Sequence, residues 1–146
     1  MAQPTTQTFA NHARVVPAYH YVAFFILAIN VLWTAYRAVR MFSPDTAIAF
    51  LVSIALIILF LYARQFAITA QDRIIRLEMR LRMQKLLPSD LQPRITDFTV
   101  GQLIALRFAS DEELPDLARK VLAGNITSRK EIKKLIRNWI PDFLRV

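Results

Sequence analysis

His12 and His20 are the only imidazoles in the chain, and the eight positions between them are not the one-turn spacing that lets two rings on a helix share a metal ion. A single imidazole suffices for an axial bond, so His20 alone could ligate the central metal of a haem or chlorophyll. The plainer reading makes His20 an interfacial ring between Tyr19 and Tyr21, and the neighbouring residues favour it. No cofactor is therefore expected, with haem or chlorophyll at His20 as the one reading left to test. There is no cysteine, which removes disulfides, thiolate metal sites and a cysteine nucleophile together. The two glycines, Gly101 and Gly124, lie 23 positions apart and cannot form a phosphate loop. No buried carboxylate pair is evident and no Ser/His/Asp set can be placed together, so the expectation is a protein that is not an enzyme.

Basic side chains are the other candidates for chemistry. Arg73, Arg76 and Arg80 recur at helical spacing, and Lys130, Lys133, Lys134 and Arg137 crowd the stretch SRKEIKKLIRNW. Such surfaces attract phosphate, whether of anionic lipid or of nucleic acid. A solvated or partner-facing basic surface accounts for them equally, and nucleic acid is the less favoured partner.

These residues must be positioned by an unusual distribution of apolar sequence. From Val15 to Tyr36 there are 22 residues without Lys, Arg, Asp or Glu, and from Thr46 to Ala63 another 18. Either run is long enough to cross a hydrocarbon core, which takes roughly 20 residues as helix. A secretory signal would need more than Arg14 before the apolar run and a small-residue cleavage site after it. The expectation is two membrane-spanning helices. Pro17 suits a first helical turn, Tyr19, His20 and Tyr21 mark one interface, and Trp33, Tyr36 and Phe42 mark the other. In the turn FSPDT, Ser43 can cap the second helix, with Pro44 at its first position and Asp45 complementing the helix dipole. Asn30 and Thr34 share a face of the first helix with Arg37. As polar groups in hydrocarbon need protein partners, they are expected to meet Ala49 and Ser53 of the second.

Charge gives the orientation. Of 19 basic residues only Arg14, Arg37 and Arg40 precede Ala63, and the other 16 follow it, within a net charge of +8. By the positive-inside tendency both termini are expected to be cytoplasmic, in a multi-pass protein of the inner (cytoplasmic) membrane. Arg37 and Arg40 in the short loop are a weak counterweight.

Between Ala47 and Leu87 there is neither proline nor glycine, so the second helix should run on from Thr46 to Leu87 and extend about 63 Å. Pro88 ends it. Within this run RLEMRLRMQKLL alternates charged and apolar residues like a strand, yet no turn residue or neighbouring strand would support one. Wound as a helix it shows two apolar seams. Ile74, Leu77 and Leu81 lie on one side, and Ile75, Met79, Met83 and Leu86 on the other. Arg73, Arg76 and Arg80 form one intervening stripe; Glu78, Arg82 and Lys85 form the second. Two seams call for two packing partners. If Arg64 marks the interface, Arg80 stands roughly 24 Å beyond it, outside the ~8 Å reach of headgroup charge at physiological salt.

Three capping boxes open the remainder: Thr99 with Gln102, Ser110 with Glu113, and Ser128 with Glu131. Three short helices are expected, the second ending at Gly124 and Asn125 and the third running through Trp139 to Pro141. About 58 residues make a marginal independent core, so this cluster should pack on one seam of the long helix and leave the other open. PSDLQP is the candidate hinge.

The fold class expected is thus all-α: a two-helix transmembrane hairpin whose second helix continues into the cytoplasm, then a small cluster of three short helices. The divisions are an interfacial segment at 1–16, the hairpin at 17–64 (about 17–41 and 44–64), the helical extension at 65–87 and the cluster at 88–146. FANHARVVPAYHY, RLEMRLRMQKLLP, TVGQLIALRFASDEELP and NITSRKEIKKLIRNWIPDFLRV together resemble a family of small bacterial membrane proteins known only as a domain of unknown function. The resemblance covers nearly the whole chain. It implies a bacterial origin and two transmembrane helices, and it brings no catalytic residues to transfer.

The functional expectation is a non-enzymatic accessory or scaffold subunit of a larger bacterial membrane complex, with respiratory or photosynthetic assemblies as candidate hosts. Its partners would be other membrane subunits or further copies of itself, together with the bilayer. A tether that binds anionic lipid or nucleic acid through the basic surface, and a pigment or haem protein using His20, are the alternatives.

Overall fold

The computed structural model describes residues 15–142, which form helices, turns and one isolated bridge. Among the described residues there is no strand. Residues 1–14, with His12 and most of the expected interfacial segment, lie outside them. The chain divides into two compact units at Ile68 and Thr69.

The first unit is a helical hairpin. A π-helical segment, Ala18–Ala23, leads into α1, Phe24–Arg40, and after a three-residue turn α2 begins at Pro44 and runs to Leu86. Both helices, counted as Ala18–Arg40 and Pro44–Leu86, are long and apolar enough to cross a membrane. The most apolar stretch of the first is 0% buried and that of the second 11% buried, so neither is the wrapped core helix of a globule. The start of α2 is fixed by a reciprocal cap. The Thr46 N–H donates to Ser43 Oγ at 3.2 Å while the Ser43 N–H donates to Thr46 Oγ1 at 2.9 Å, a capping box with threonine in the place of glutamate. Thr46 Oγ1 also donates to the Met41 carbonyl at 3.1 Å, which closes the turn.

The second unit is built on the end of α2. Ile75, Met79, Met83 and Leu87 enter a core with Leu91, Ile95, Phe98 and the apolar faces of three short helices, α3 (Val100–Leu106), α4 (Leu114–Ala123) and α5 (Arg129–Leu135). Pro88 stops α2 as expected. The candidate hinge behind it is folded: the Gln92 side-chain amide donates to the Gln84 and Leu87 carbonyls at 2.8 and 2.9 Å, and a 3-10 turn follows over Gln92–Asp97. Those are carbonyls that a helix end otherwise leaves without a partner.

The three caps differ. Thr99 and Gln102 form both halves of the box. At Ser110 only one half forms, with the Glu113 N–H donating to Ser110 Oγ at 3.3 Å, and regular helix starts at Leu114, three residues later than expected. Pro115 has no N–H to continue a helix begun at Ser110, and the Glu113 carboxylate is used elsewhere. α4 ends in a Schellman arrangement, in which Asn125 takes φ 45° and the Ile126 N–H donates to the Val121 carbonyl at 3.0 Å. α5 stops at Leu135, so the expected continuation through Trp139 is corrected. Ile136 is extended, and the chain beyond it runs beside residues 108–110, where the Ser110 N–H donates to Asn138 O at 3.1 Å and the Ile140 N–H to Phe108 O at 2.7 Å. Trp139 gains a stacked contact on buried Phe108, ring centres 4.4 Å apart, which a helical continuation would not deliver.

Candidate functional site

The two apolar seams of α2 have different fates. Ile75, Met79 and Met83 are buried at 5%, 3% and 0% exposure, and Leu86 is partly buried against the same core. Their cover comes from the chain itself. Ile74, Leu77 and Leu81 remain 58%, 61% and 52% exposed. At 100° per residue this second set lies on the far side of the helix from the first.

The charged stripes between the seams are also unlike each other. Arg82 is drawn into the fold: its guanidinium donates to Asp111 Oδ1, to the Arg107 carbonyl at 3.2 Å and to the Ala109 carbonyl at 2.6 Å. Arg73 and Arg76 are exposed and have no carboxylate within ion-pair distance among the described residues. Arg80 is partly buried, with its Nε shielded from solvent and lacking a hydrogen-bond partner. The open seam is therefore bordered on one side by positive charge.

The basic residues of the last helix do not act as one surface. Lys130 and Lys134 are exposed. Lys133 lies over the Phe108 ring at 5.0 Å and the Arg107 guanidinium lies over the same ring at 4.6 Å, so both charges are engaged with an aromatic ring. Arg137 follows α5 and is held by its backbone, whose N–H donates to the Glu113 carboxylate at 2.9 Å; the Asn138 N–H reaches the same carboxylate at 2.9 Å. These contacts line a polar cleft of about 380 Å³ with Glu112, Asp116 and Lys120. Glu112 is held below the ordinary carboxylate range by hydrogen bonds from its own backbone and from the Ser110 hydroxyl.

In the hairpin, Thr34 and Ser53 meet across the helices, their hydroxyls 2.9 Å apart, and Ser53 is 1% exposed. Thr34 also donates to the carbonyl of Asn30 at 2.8 Å, so Asn30 takes part through its backbone. Ala49 is exposed, which corrects its expected place in this contact. The packed positions of α2 run from Thr46 through Phe50, Ser53, Ile57 and Phe60 to Arg64 in alternating steps of four and three, and Ala49 falls one position off that line. Near the other end the Tyr19 hydroxyl donates to the Phe60 carbonyl, and the two rings stack at 4.2 Å.

His20 Nδ1 lies 3.0 Å from both the N–H and the carbonyl of Val16 and is engaged with that backbone. The ring borders a cavity of about 300 Å³ that Phe24, Phe60 and Arg64 also line. Among the described residues no group of three or more His, Asp or Glu side chains could hold a metal ion.

Sequence reasoning missed Arg82, Glu113 and the Phe108–Trp139 pair because their partners lie 24 to 31 positions away, beyond any local spacing signal. It also missed Tyr19 with Phe60, read only as an interfacial ring and an apolar position. Together these arrangements can bind through apolar and basic surfaces.

No curated protein and no solved structure matches the chain. One family model matches throughout, residues 1–146, and the chain belongs to that family, a family of unknown function (DUF6526).

Proposed function

We propose that the chain is a non-enzymatic accessory or scaffold subunit of a larger bacterial membrane complex. α1 and the first half of α2 anchor it in the cytoplasmic membrane with both termini inside, and the open seam of α2 receives a helix of another subunit. Respiratory and photosynthetic assemblies are hosts of the right kind. The observation that carries this reading is the exposure of Ile74, Leu77 and Leu81 at 58%, 61% and 52%, on a segment whose opposite seam is packed by the chain itself. Aligned apolar residues left bare on a polar helix mark an interaction surface.

Extraction of native membranes in mild detergent tests it. The chain is expected to migrate in a native gel well above its own 16.9 kDa plus detergent, and a species at the monomer position overturns the proposal. A second reading, a tether for anionic lipid or nucleic acid, is favoured by the exposure of Arg73, Arg76, Lys130 and Lys134. It requires binding that falls steeply with salt.

A further inference from the structure

The end of the hairpin opposite its turn holds a second feature, independent of the seam. There the cavity of about 300 Å³ lies between the start of α1 and the stretch of α2 around Phe60 to Ile68. Antiparallel pairing sorts its walls. Phe24, Phe60 and Leu61 lie about one helical turn nearer the hairpin's turn than His20 and Arg64, with the Phe24 and Phe60 ring centres 6.4 Å apart, and Ile68 lines the wall one turn beyond Arg64. The Tyr19–Phe60 stack holds the two walls in place.

The wall of the cavity carries a charge that the unit does not neutralise. Arg64 is partly buried and has no carboxylate within ion-pair distance among the described residues. Between Arg14 and Ile68 the only carboxylate is Asp45, in the first turn of α2 and about 28 Å away along the helix. A half-shielded guanidinium calls for an anion, and its fork of donors matches phosphate oxygens. His20 is the second polar group of the wall: its Nδ1 is engaged with the Val16 backbone, which leaves Nε2 for a ligand. Below these groups the floor is aromatic and aliphatic.

We infer that this cavity binds one anionic phospholipid per chain, with its phosphate on Arg64 and His20 and an acyl chain against Phe24, Phe60 and Leu61. The ligand must be anionic above and apolar below, and a lipid satisfies both. The inference rests on the hairpin lying in a bilayer.

The test uses the full-length chain reconstituted in phosphatidylcholine vesicles. Co-flotation with the vesicles is expected first, and a chain that stays behind overturns the membrane placement and this site together. The floating protein is then extracted in mild detergent and examined by native mass spectrometry with phosphatidylglycerol, phosphatidylcholine and inorganic phosphate as separate probes. One phosphatidylglycerol should be retained per chain. Arg64→Gln should lower that occupancy about tenfold or more, the effect of losing one charge-assisted contact. Arg37→Gln, at the other end of the hairpin, should leave it unchanged. Leu61→Trp, which fills the cavity and keeps the arginine, should also lose the lipid, so the result does not hang on one variant. Equal retention by Arg64→Gln means annular lipid. Equal retention of phosphatidylcholine means that charge is not read, and occupancy by inorganic phosphate alone means an anion site without a lipid. Each of these overturns the inference, whereas the seam proposal stands or falls on the native gel.

Discussion

Ile75, Met79 and Met83 are at most 5% exposed, while Ile74, Leu77 and Leu81, on the same turns of the same helix, are all more than half exposed. The two sets are alike in size and apolar character. What separates them is the geometry of a small cluster: α3, α4 and α5 are seven, ten and seven residues long, and helices of that length cover one side of α2 and no more. A charged side chain on each border is treated accordingly. Arg82 turns inward to two carbonyls and Asp111, while Arg73 and Arg76 stay outside. One seam therefore belongs to folding and the other is left for something else.

The largest effect is expected from Met83→Ala. Met83 is fully buried, and its truncation should cost about 2–5 kcal/mol of stability in denaturant melts followed by helical circular dichroism. A loss under about 0.5 kcal/mol would mean that the covered seam is not packed. Next in size is Arg82→Ala, expected at about 1–3 kcal/mol because the Arg107 and Ala109 carbonyls lose a charged donor. The smallest effect on stability, within about 0.5 kcal/mol, belongs to Leu77→Asp on the open seam. That variant should nevertheless return the chain to the monomer position in the native gel, and a destabilisation as large as that of Met83→Ala would erase the distinction between the seams.

Much of this was legible in the sequence for a physical reason: the features that specify it are local. A run from Ala47 to Leu87 without proline or glycine is a helix, Pro88 ends it, and Thr99 with Gln102 caps the next. The two seams follow from periodicity, and the expectation that one of them stays open follows from the small size of the C-terminal cluster. Periodicity does not say which of the two is covered, since Ile74 and Ile75 are the same residue. The early end of α5 was illegible because the groups that draw residues 136–140 into extended chain, the Phe108 carbonyl, the Ser110 N–H and the Glu113 carboxylate, lie more than twenty positions upstream. The cavity at the open end of the hairpin had a half-visible signal in Arg64, an arginine at the edge of an apolar run, but the ring pair that frames it appears only once the helices are side by side.

The chain's two indoles are divided evenly between its two units. Trp33 sits on α1 at 59% exposure, 5.8 Å from the Tyr36 ring, and Trp139 lies flat on Phe108 at 4.4 Å with only 14° between the planes. Intrinsic fluorescence thus carries two separable voices: the emission of Trp33 follows whatever medium surrounds the hairpin, and that of Trp139 follows the integrity of the cluster. Replacing either indole with phenylalanine leaves a single optical reporter for the other unit, with no label added to the protein.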